Sequence, residues 1–141
     1  MNLSNFLYNR DIHHIGYVVT DINSSKKKWM KEGFKLLVEP KLDTIQNVYC
    51  CLLSFSNQTP IELISPNSTG TNKLQSRISR GNGIDHICYN SVDIKSDYEL
   101  VIQNKLMIPV QEIVFANVFN AKICFFMTRT GIIIELMQSS L

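Results

Sequence analysis

An internal repeat is the feature that most constrains the fold of this chain. Residues 12–22 read IHHIGYVVTDI and residues 84–94 read IDHICYNSVDI, with six of the eleven positions identical. Further on, the tripeptide IEL at residues 61–63 recurs at residues 134–136. Both segments recur at nearly the same offset along the chain. The chain is therefore predicted to contain two copies of one unit of about 70 residues.

Both copies show the same order of predicted elements, a strand, a helix and three more strands. Runs rich in β-branched and aromatic residues predict the strands, and an Asp before each helical pattern predicts its N-cap. In the first copy the strands are 12–20, 34–38, 48–55 and 60–65, the helix is 23–31 between the Asp21 cap and Gly33, and Pro40 is taken to stop the second strand. In the second copy the strands are 84–92, 107–114, 121–127 and 131–138, and the helix is about 95–105 after Asp93.

These elements predict an α+β fold in one domain, made of two tandem β-α-β-β-β modules. Residues 11–66 form the first module and residues 83–138 the second, joined by a polar connector, 67–82, with a short helical pattern around 74–78. Residues 1–10 are expected to be an irregular arm. Its apolar side chains could contact a partner subunit, and a homodimer is expected; those side chains are Phe6, Leu7 and Tyr8.

Composition excludes several classes of function. With 45% apolar and 18% charged residues, the sequence is typical of a soluble globular protein. A net charge of +2 without a basic stripe argues against nucleic acid as a partner. No apolar run is long enough for a membrane span, and no signal pattern opens the chain. The four cysteines lie in apolar runs without C-x-x-C spacing, so we expect reduced thiols and a cytoplasmic protein.

Two His and two Glu side chains mark a candidate metal centre. His14 is repeated as His86, whereas the position of His13 is taken by Asp85, so His14 is the candidate of the first pair. Both glutamates interrupt apolar strands, where a carboxylate needs a cationic or metal partner; they are Glu62 and Glu135. Two imidazoles and two carboxylates suit one divalent ion, Zn²⁺, Ni²⁺, Co²⁺, Mn²⁺ or Fe²⁺. The alternative is that each is a structural residue and that the repeat preserves packing alone.

The modules resemble those of the vicinal oxygen chelate superfamily, which includes glyoxalase I, methylmalonyl-CoA epimerase, extradiol dioxygenases and bleomycin-binding proteins. The resemblance extends from Asp11 to Gln138, and its motifs are closest to the epimerase and glyoxalase group. These motifs are His-Ile-Gly at His14, IELISP around Glu62, GIDHI at 83–87 and the segment 131–136. The resemblance implies a curved mixed sheet of two half-barrels around a metal cleft. The resemblance also implies that the ligands of this metal are His14, Glu62, His86 and Glu135.

The sequence departs from the epimerase pattern at two places. Epimerases carry a proton-transfer Glu on the third strand, where this chain has Cys50, and a Gly-rich loop before the seventh strand, where residues 115–120 read FANVFN. The resemblance to glyoxalase I implies a route without a third-strand Glu, in which the ligands Glu62 and Glu135 are the bases. The leading expectation is a metal-dependent isomerase, epimerase or lyase that transfers a proton next to a carbonyl of a small carbonyl or thioester substrate.

Two other functions remain open from the sequence. An Fe²⁺ dioxygenase would use His14, His86 and Glu135 as a two-His, one-carboxylate triad, although Glu62 would then fill a position that oxygen needs. A non-catalytic, drug-sequestering protein is the other alternative. The drug-sequestering members of the superfamily lack the metal ligands, so the presence of all four candidate ligands argues against it.

Overall fold

The computed structural model describes residues 1–67 and 74–139. These residues contain twelve helices and strands. In chain order they are α1 (Leu3–Leu7), β1 (Ile12–Val18), α2 (Ile22–Lys31), β2 (Lys35–Asp43), β3 (Val48–Ser54), β4 (Ile61–Pro66), α3 (Gln75–Ser79), β5 (Gly83–Asn90), α4 (Ile94–Gln103), β6 (Ile108–Ala116), β7 (Ala121–Met127) and β8 (Ile133–Ser139). The predicted α+β class and the two β-α-β-β-β modules are confirmed. The connector's residues 68–73 lie outside the described residues, and α3 covers most of its predicted helical pattern.

The chain divides into two compact units. The first unit is His14–Asp85, and the second unit is Met1–His13 together with His86–Leu141. The first two residues of β1, Ile12 and His13, therefore belong to the second unit. The first three residues of β5, 83–85, belong to the first unit.

The first unit is a four-stranded mixed sheet with one helix on it. Its strand order is β2-β3-β4-β1, with β1 and β4 parallel and the other neighbours antiparallel. Asp21 begins α2, because its side chain accepts a hydrogen bond from the Ser24 amide at 2.9 Å. The apolar core of this unit contains Val19, Ile22, Cys51, Leu53 and Leu63.

The second unit repeats this arrangement. Its strand order is β5-β8-β7-β6, with β5 and β8 parallel and the other neighbours antiparallel. Asp93 begins α4 by accepting a hydrogen bond from the Ser96 amide at 3.1 Å. Its larger core cluster includes Phe6, Ile94, Val101, Phe126 and Leu136. Both Asp caps predicted from the sequence are therefore confirmed.

The prediction that Pro40 stops the second strand is wrong. Strand β2 continues through Pro40 to Asp43 and lies at the end of its unit's strand order. Its pairing with β3 shifts register between Val38 and Lys41, so Pro40 falls where the ladder is irregular and its missing N–H costs no regular hydrogen bond.

The prediction of an irregular N-terminal arm is also wrong, because residues 3–7 form α1. Asn2 and Asn5 make a reciprocal cap, in which each side-chain oxygen accepts a hydrogen bond from the other's amide. The Phe6 side chain is only 4% exposed and packs into the core of its own unit, so it is not free for a partner subunit. Tyr8 remains exposed.

Among the described residues, no helix is long and apolar enough to span a lipid bilayer.

Candidate metal centre

The first unit brings His14 and Glu62 together. In the parallel pair β1–β4, Gly16 lies beside Glu62, and His14 precedes Gly16 by two residues, so it shares the same face. The His14 Nε2 atom lies 3.5 Å from the Glu62 Oε1 atom. Both side chains are buried, with 0% of His14 and 4% of Glu62 exposed.

The second unit makes the equivalent pair from His86 and Glu135. Here Cys88 on β5 lies beside Glu135 on β8, and His86 again precedes it by two residues on the same face. The His86 Nε2 atom lies 3.2 Å from the Glu135 Oε1 atom, and both side chains are buried. The repeat in sequence is thus a repeat of the same imidazole–carboxylate contact.

The two buried carboxylates contribute to the raised pKa of a nearby thiol in each unit. Burial raises the pKa of the Cys51 thiol to about 12, and the negative charge of Glu62 adds to the rise. In the same way, burial first and Glu135 second raise the pKa of the Cys124 thiol to about 12. Each unit therefore has a region of negative potential around its carboxylate, which favours a cation there.

An aromatic ring packs against the second pair. Phe125, on β7, is the ladder partner of Glu135, and its ring meets the His86 imidazole edge-on at 5.4 Å between centroids. Leu52 takes the same place beside Glu62 in the first unit. The sequence analysis did not identify these two residues, because an apolar residue in an apolar strand carries no signal of its own. The offset that relates Glu62 to Glu135 also relates Leu52 to Phe125, and this is the signal that finds them.

His13 has different surroundings from His14. Its half-buried ring packs edge-on against Phe119, with centroids 5.8 Å apart. The structure thus places His14 in a carboxylate pair and His13 against an aromatic side chain.

The two departures from the epimerase pattern have clear positions. Cys50 is buried on β3, two residues before Leu52 and on the face that carries Glu62. Residues 115–120 contain the end of β6 and the turn into β7, and Asn120 has a φ of +49°, a conformation that Asn tolerates better than most other residues. The turn is thus made without glycine.

The donor chemistry fits a divalent metal. Imidazole nitrogen and carboxylate oxygen are both ligands of Zn²⁺ and of the neighbouring transition metals. In each unit the imidazole nitrogen and the carboxylate oxygen are buried and lie close to one another. A buried carboxylate lowers the stability of the fold unless it is paired with a cationic group or coordinates a metal ion.

Comparisons with known proteins give the same fold. A methylmalonyl-CoA epimerase from Mycobacterium tuberculosis is 20% identical, with a TM-score of 0.81 over 92% of this chain and 88% of that one. A hypothetical protein from Bacillus halodurans is 23% identical, with a TM-score of 0.81 over 94% and 96%. A Streptomyces coelicolor methylmalonyl-CoA epimerase is 19% identical, with a TM-score of 0.78 over 92% and 97%. The search of curated proteins gave no match.

The family model described as the Glyoxalase/Bleomycin resistance protein/Dioxygenase superfamily matches residues 13–108, well over half of the chain. This match includes His14, Glu62 and His86, and it confirms the resemblance inferred from the repeated motifs. The chain belongs to the glyoxalase/bleomycin resistance protein/dioxygenase superfamily.

Proposed function

We propose that this protein is a divalent-metal-dependent isomerase, epimerase or lyase that transfers a proton at a carbon next to a carbonyl. The observation that carries the proposal is the repeated, buried imidazole–carboxylate contact, 3.5 Å in the first unit and 3.2 Å in the second. Packing alone would not require a His and a Glu at both equivalent places. The proposed ligands are His14, Glu62, His86 and Glu135.

A divalent ion at these ligands would supply Lewis-acid chemistry to the substrate oxygens. The chain's own residues then have separate tasks. His14 and His86 would hold the ion through imidazole nitrogen, and the Nε2 atom of each lies close to the carboxylate of its own pair. Glu62 and Glu135 exchange the substrate proton from buried positions in apolar strands.

Cys50 is the reason for preferring a glyoxalase-type route. A buried thiol is a poorer proton acceptor than a carboxylate, so the third strand offers no second base of the kind that epimerases use. The two bases are then the two glutamates, one from each unit.

The proposed substrate class is a small carbonyl compound or a thioester. Solved relatives in the superfamily include methylmalonyl-CoA epimerases in complex with methylmalonyl-CoA or with 2-nitronate-propionyl-CoA. Acyl-CoA thioesters bearing an acidic α-proton are therefore the first compounds to assay, followed by hemithioacetals of 2-oxoaldehydes.

Elemental analysis of the purified protein tests the proposal. We expect one divalent ion per chain in the wild type, and loss of that ion in His14→Gln and Glu135→Gln. Asp43→Asn is the matched control, because Asp43 is an equally buried carboxylate that accepts hydrogen bonds from the Ile45 and Gln46 amides instead of facing a His.

Circular dichroism and the unfolding midpoint show whether each variant is folded. A wild type that binds none of Zn²⁺, Ni²⁺, Co²⁺, Mn²⁺ or Fe²⁺ would overturn the proposal and favour a non-catalytic binding protein. Equal metal loss in the folded Asp43→Asn control would also contradict it, since the loss would then not depend on the His–Glu pairs.

A further inference from the structure

Three aromatic side chains of the first unit form a connected cluster that reaches solvent. The rings of Trp29 and Phe34 meet edge-on with centroids 4.9 Å apart, and the Phe34 ring packs against Phe55 with centroids 5.7 Å apart. Trp29 and Phe34 are half-buried, whereas Phe55 is 50% exposed. This aromatic cluster therefore offers a preformed apolar surface at the end of α2.

The second copy of the repeat makes the same turn without aromatic residues. The Phe34 amide donates a hydrogen bond to the Trp29 carbonyl at 3.2 Å. At the equivalent place the Leu106 amide donates to the Val101 carbonyl at 3.0 Å. The residues that take the places of the aromatic cluster are Val101, Leu106 and Thr128. The fold of a module thus does not require this cluster, and its presence in one copy alone points to a ligand.

Two cavities lie against the cluster. The larger, of about 390 Å³, is lined by Trp29 and Phe34, and the smaller, of about 260 Å³, is lined by Phe55. Their size suits part of a small organic ligand, for which pockets have volumes of about 300 to 1,000 Å³. Aromatic walls of this kind stack on a flat ring of the ligand.

The charges beside the cluster favour an anionic ligand. Lys28 lines the larger cavity, and Lys35 lines the smaller one. The exposed Lys31 follows Lys28 by three residues, so the two lie on the same side of α2. Among the described lining residues, Glu32 is the acidic one. Three ammonium groups against one carboxylate argue against the cationic ligand that an aromatic cluster alone could also hold.

Polar side chains after β3 complete the site. Ser54, Ser56 and Asn57 line the smaller cavity beside Phe55. Their hydroxyl and amide groups can hydrogen-bond a sugar or a phosphate. A stacking surface, ammonium groups and hydroxyl groups that lie side by side match the three parts of a nucleotide.

We propose that the aromatic cluster and the neighbouring lysines bind a purine nucleotide. The base stacks on the cluster, the phosphates pair with Lys28 and Lys35, and the hydroxyl groups after β3 hold the sugar. All of these residues belong to the first unit, and none is a candidate metal ligand. The proposal goes beyond the proposed catalytic function and does not depend on it.

Tryptophan fluorescence tests the site, because Trp29 is the sole tryptophan of the chain. ADP is titrated without added divalent metal, with excitation where tryptophan absorbs and adenine does not, and calorimetry counts the sites. We expect a saturable change in Trp29 emission and one ADP per chain. Adenosine and pyrophosphate each provide only one part of the ligand, so each should bind at least about tenfold more weakly.

A substitution in the aromatic cluster tests stacking. Phe55→Thr places the residue of the other copy and should weaken ADP binding at least about fivefold, since a stacking surface is lost. Phe115→Thr is the matched control, because Phe115 is a 40% exposed phenylalanine on β6 of the second unit. Its ADP affinity should equal that of the wild type, and the unfolding midpoint shows whether each variant is folded.

Two charge substitutions should act in opposite directions. Lys28→Gln should weaken ADP binding a few-fold and Glu32→Gln should strengthen it, because one removes an attraction to phosphate and the other a repulsion. Lys122→Gln removes an exposed lysine of the second unit and should have no effect. The reverse order of affinities would overturn the assignment of an anionic ligand.

The remaining outcomes separate this proposal from the proposed function. No saturable change with ADP at millimolar concentration would overturn the nucleotide site, as would equal weakening in Phe55→Thr and Phe115→Thr. Pyrophosphate that binds as tightly as ADP would contradict stacking. The divalent metal content should be the same in Phe55→Thr and the wild type, so a failure of ADP binding leaves the His–Glu pairs unaffected.

Discussion

The Nε2 atom of His86 lies 3.2 Å from the Oε1 atom of Glu135. The same relationship recurs in the first copy of the repeat, at 3.5 Å, between His14 and Glu62. In both units a parallel strand pair fixes the contact, because the residue two positions after the His lies beside the Glu. Because the same strand register occurs in both units, the strands themselves place each His beside its Glu, and no loop is needed for this contact.

Glu62→Gln and Glu135→Gln should each lower the turnover number by at least about 10²- to 10⁴-fold, because each removes one proton-transfer base and also one proposed metal ligand. The amide keeps the size of the side chain, so the fold should survive. Steady-state kinetics with the substrate identified in the first assays, beside metal content, measures the effect. Turnover within a few-fold of the wild type in a folded Glu135→Gln variant would contradict the role of that residue.

Cys50→Ala should leave turnover within a few-fold of the wild-type value. The proposed route takes both bases from the glutamates, and the Cys50 sulfur lies on β3 as a buried, apolar neighbour of Ile64. Kinetics at saturating substrate would show the effect, with the unfolding midpoint as a check on packing. A loss as large as that of Glu135→Gln would instead assign proton transfer to the thiol.

The fold follows from the sequence where local chemistry decides it. The Asp caps of both helices, the order of strands and helix along each copy, and the shared face of His14, Gly16 and Val18 all follow from side-chain type and spacing. The four candidate ligand residues are predicted for the same reason, whereas their arrangement as two His–Glu pairs comes from the structure. A repeated polar residue in an apolar strand is visible without a structure.

Tertiary context decided what the sequence analysis missed. Pro40 predicts a strand end, yet a register shift at the end of the strand order accommodates it. The short stretch from Leu3 to Leu7 has no strong helical period, and α1 is held by its Asn cap and by burial of Phe6 in a distant core.

Arg10→Lys should lower the free energy of unfolding by about 1 to 3 kcal/mol. The Arg10 guanidinium makes two hydrogen bonds to the Asp97 carboxylate, at 2.6 and 2.8 Å, and a third to the Phe6 carbonyl, at 2.7 Å. Lys keeps the positive charge but cannot donate the two parallel hydrogen bonds to the Asp97 carboxylate. The contact of the Arg10 guanidinium with the face of the Phe6 ring is also lost. Urea unfolding followed by circular dichroism measures the change.

Glu39→Gln is the control for that experiment. The Lys26–Glu39 pair is 3.6 Å long, and the Glu39 side chain is 70% exposed, so its removal should cost no more than about 0.5 kcal/mol. Equal changes in the free energy of unfolding for the two substitutions would show that the Arg10 hydrogen bonds do not stabilise the folded protein.

Stability should fall as the pH rises between 9.0 and about 12, and part of this fall should come from two thiols. Burial raises the pKa of Cys51 and of Cys124 from 9.0 to about 12 in the folded protein. In that window the unfolded chain has released protons that the folded chain keeps, so the folded state loses relative stability with rising pH; below pH 9.0 the contribution is fully present.

The double variant Cys51→Ala, Cys124→Ala isolates this contribution. It should be less stable than the wild type below pH 9.0, because two buried side chains are truncated, yet its free energy of unfolding should fall less steeply above pH 9.0. Tyr98, whose pKa is raised first by burial, is present in both proteins, so that part of its contribution cancels; Cys124 is only the smallest of the causes that raise the pKa of Tyr98. Parallel pH profiles from urea unfolding would mean that these thiols ionise alike in the folded and unfolded chains.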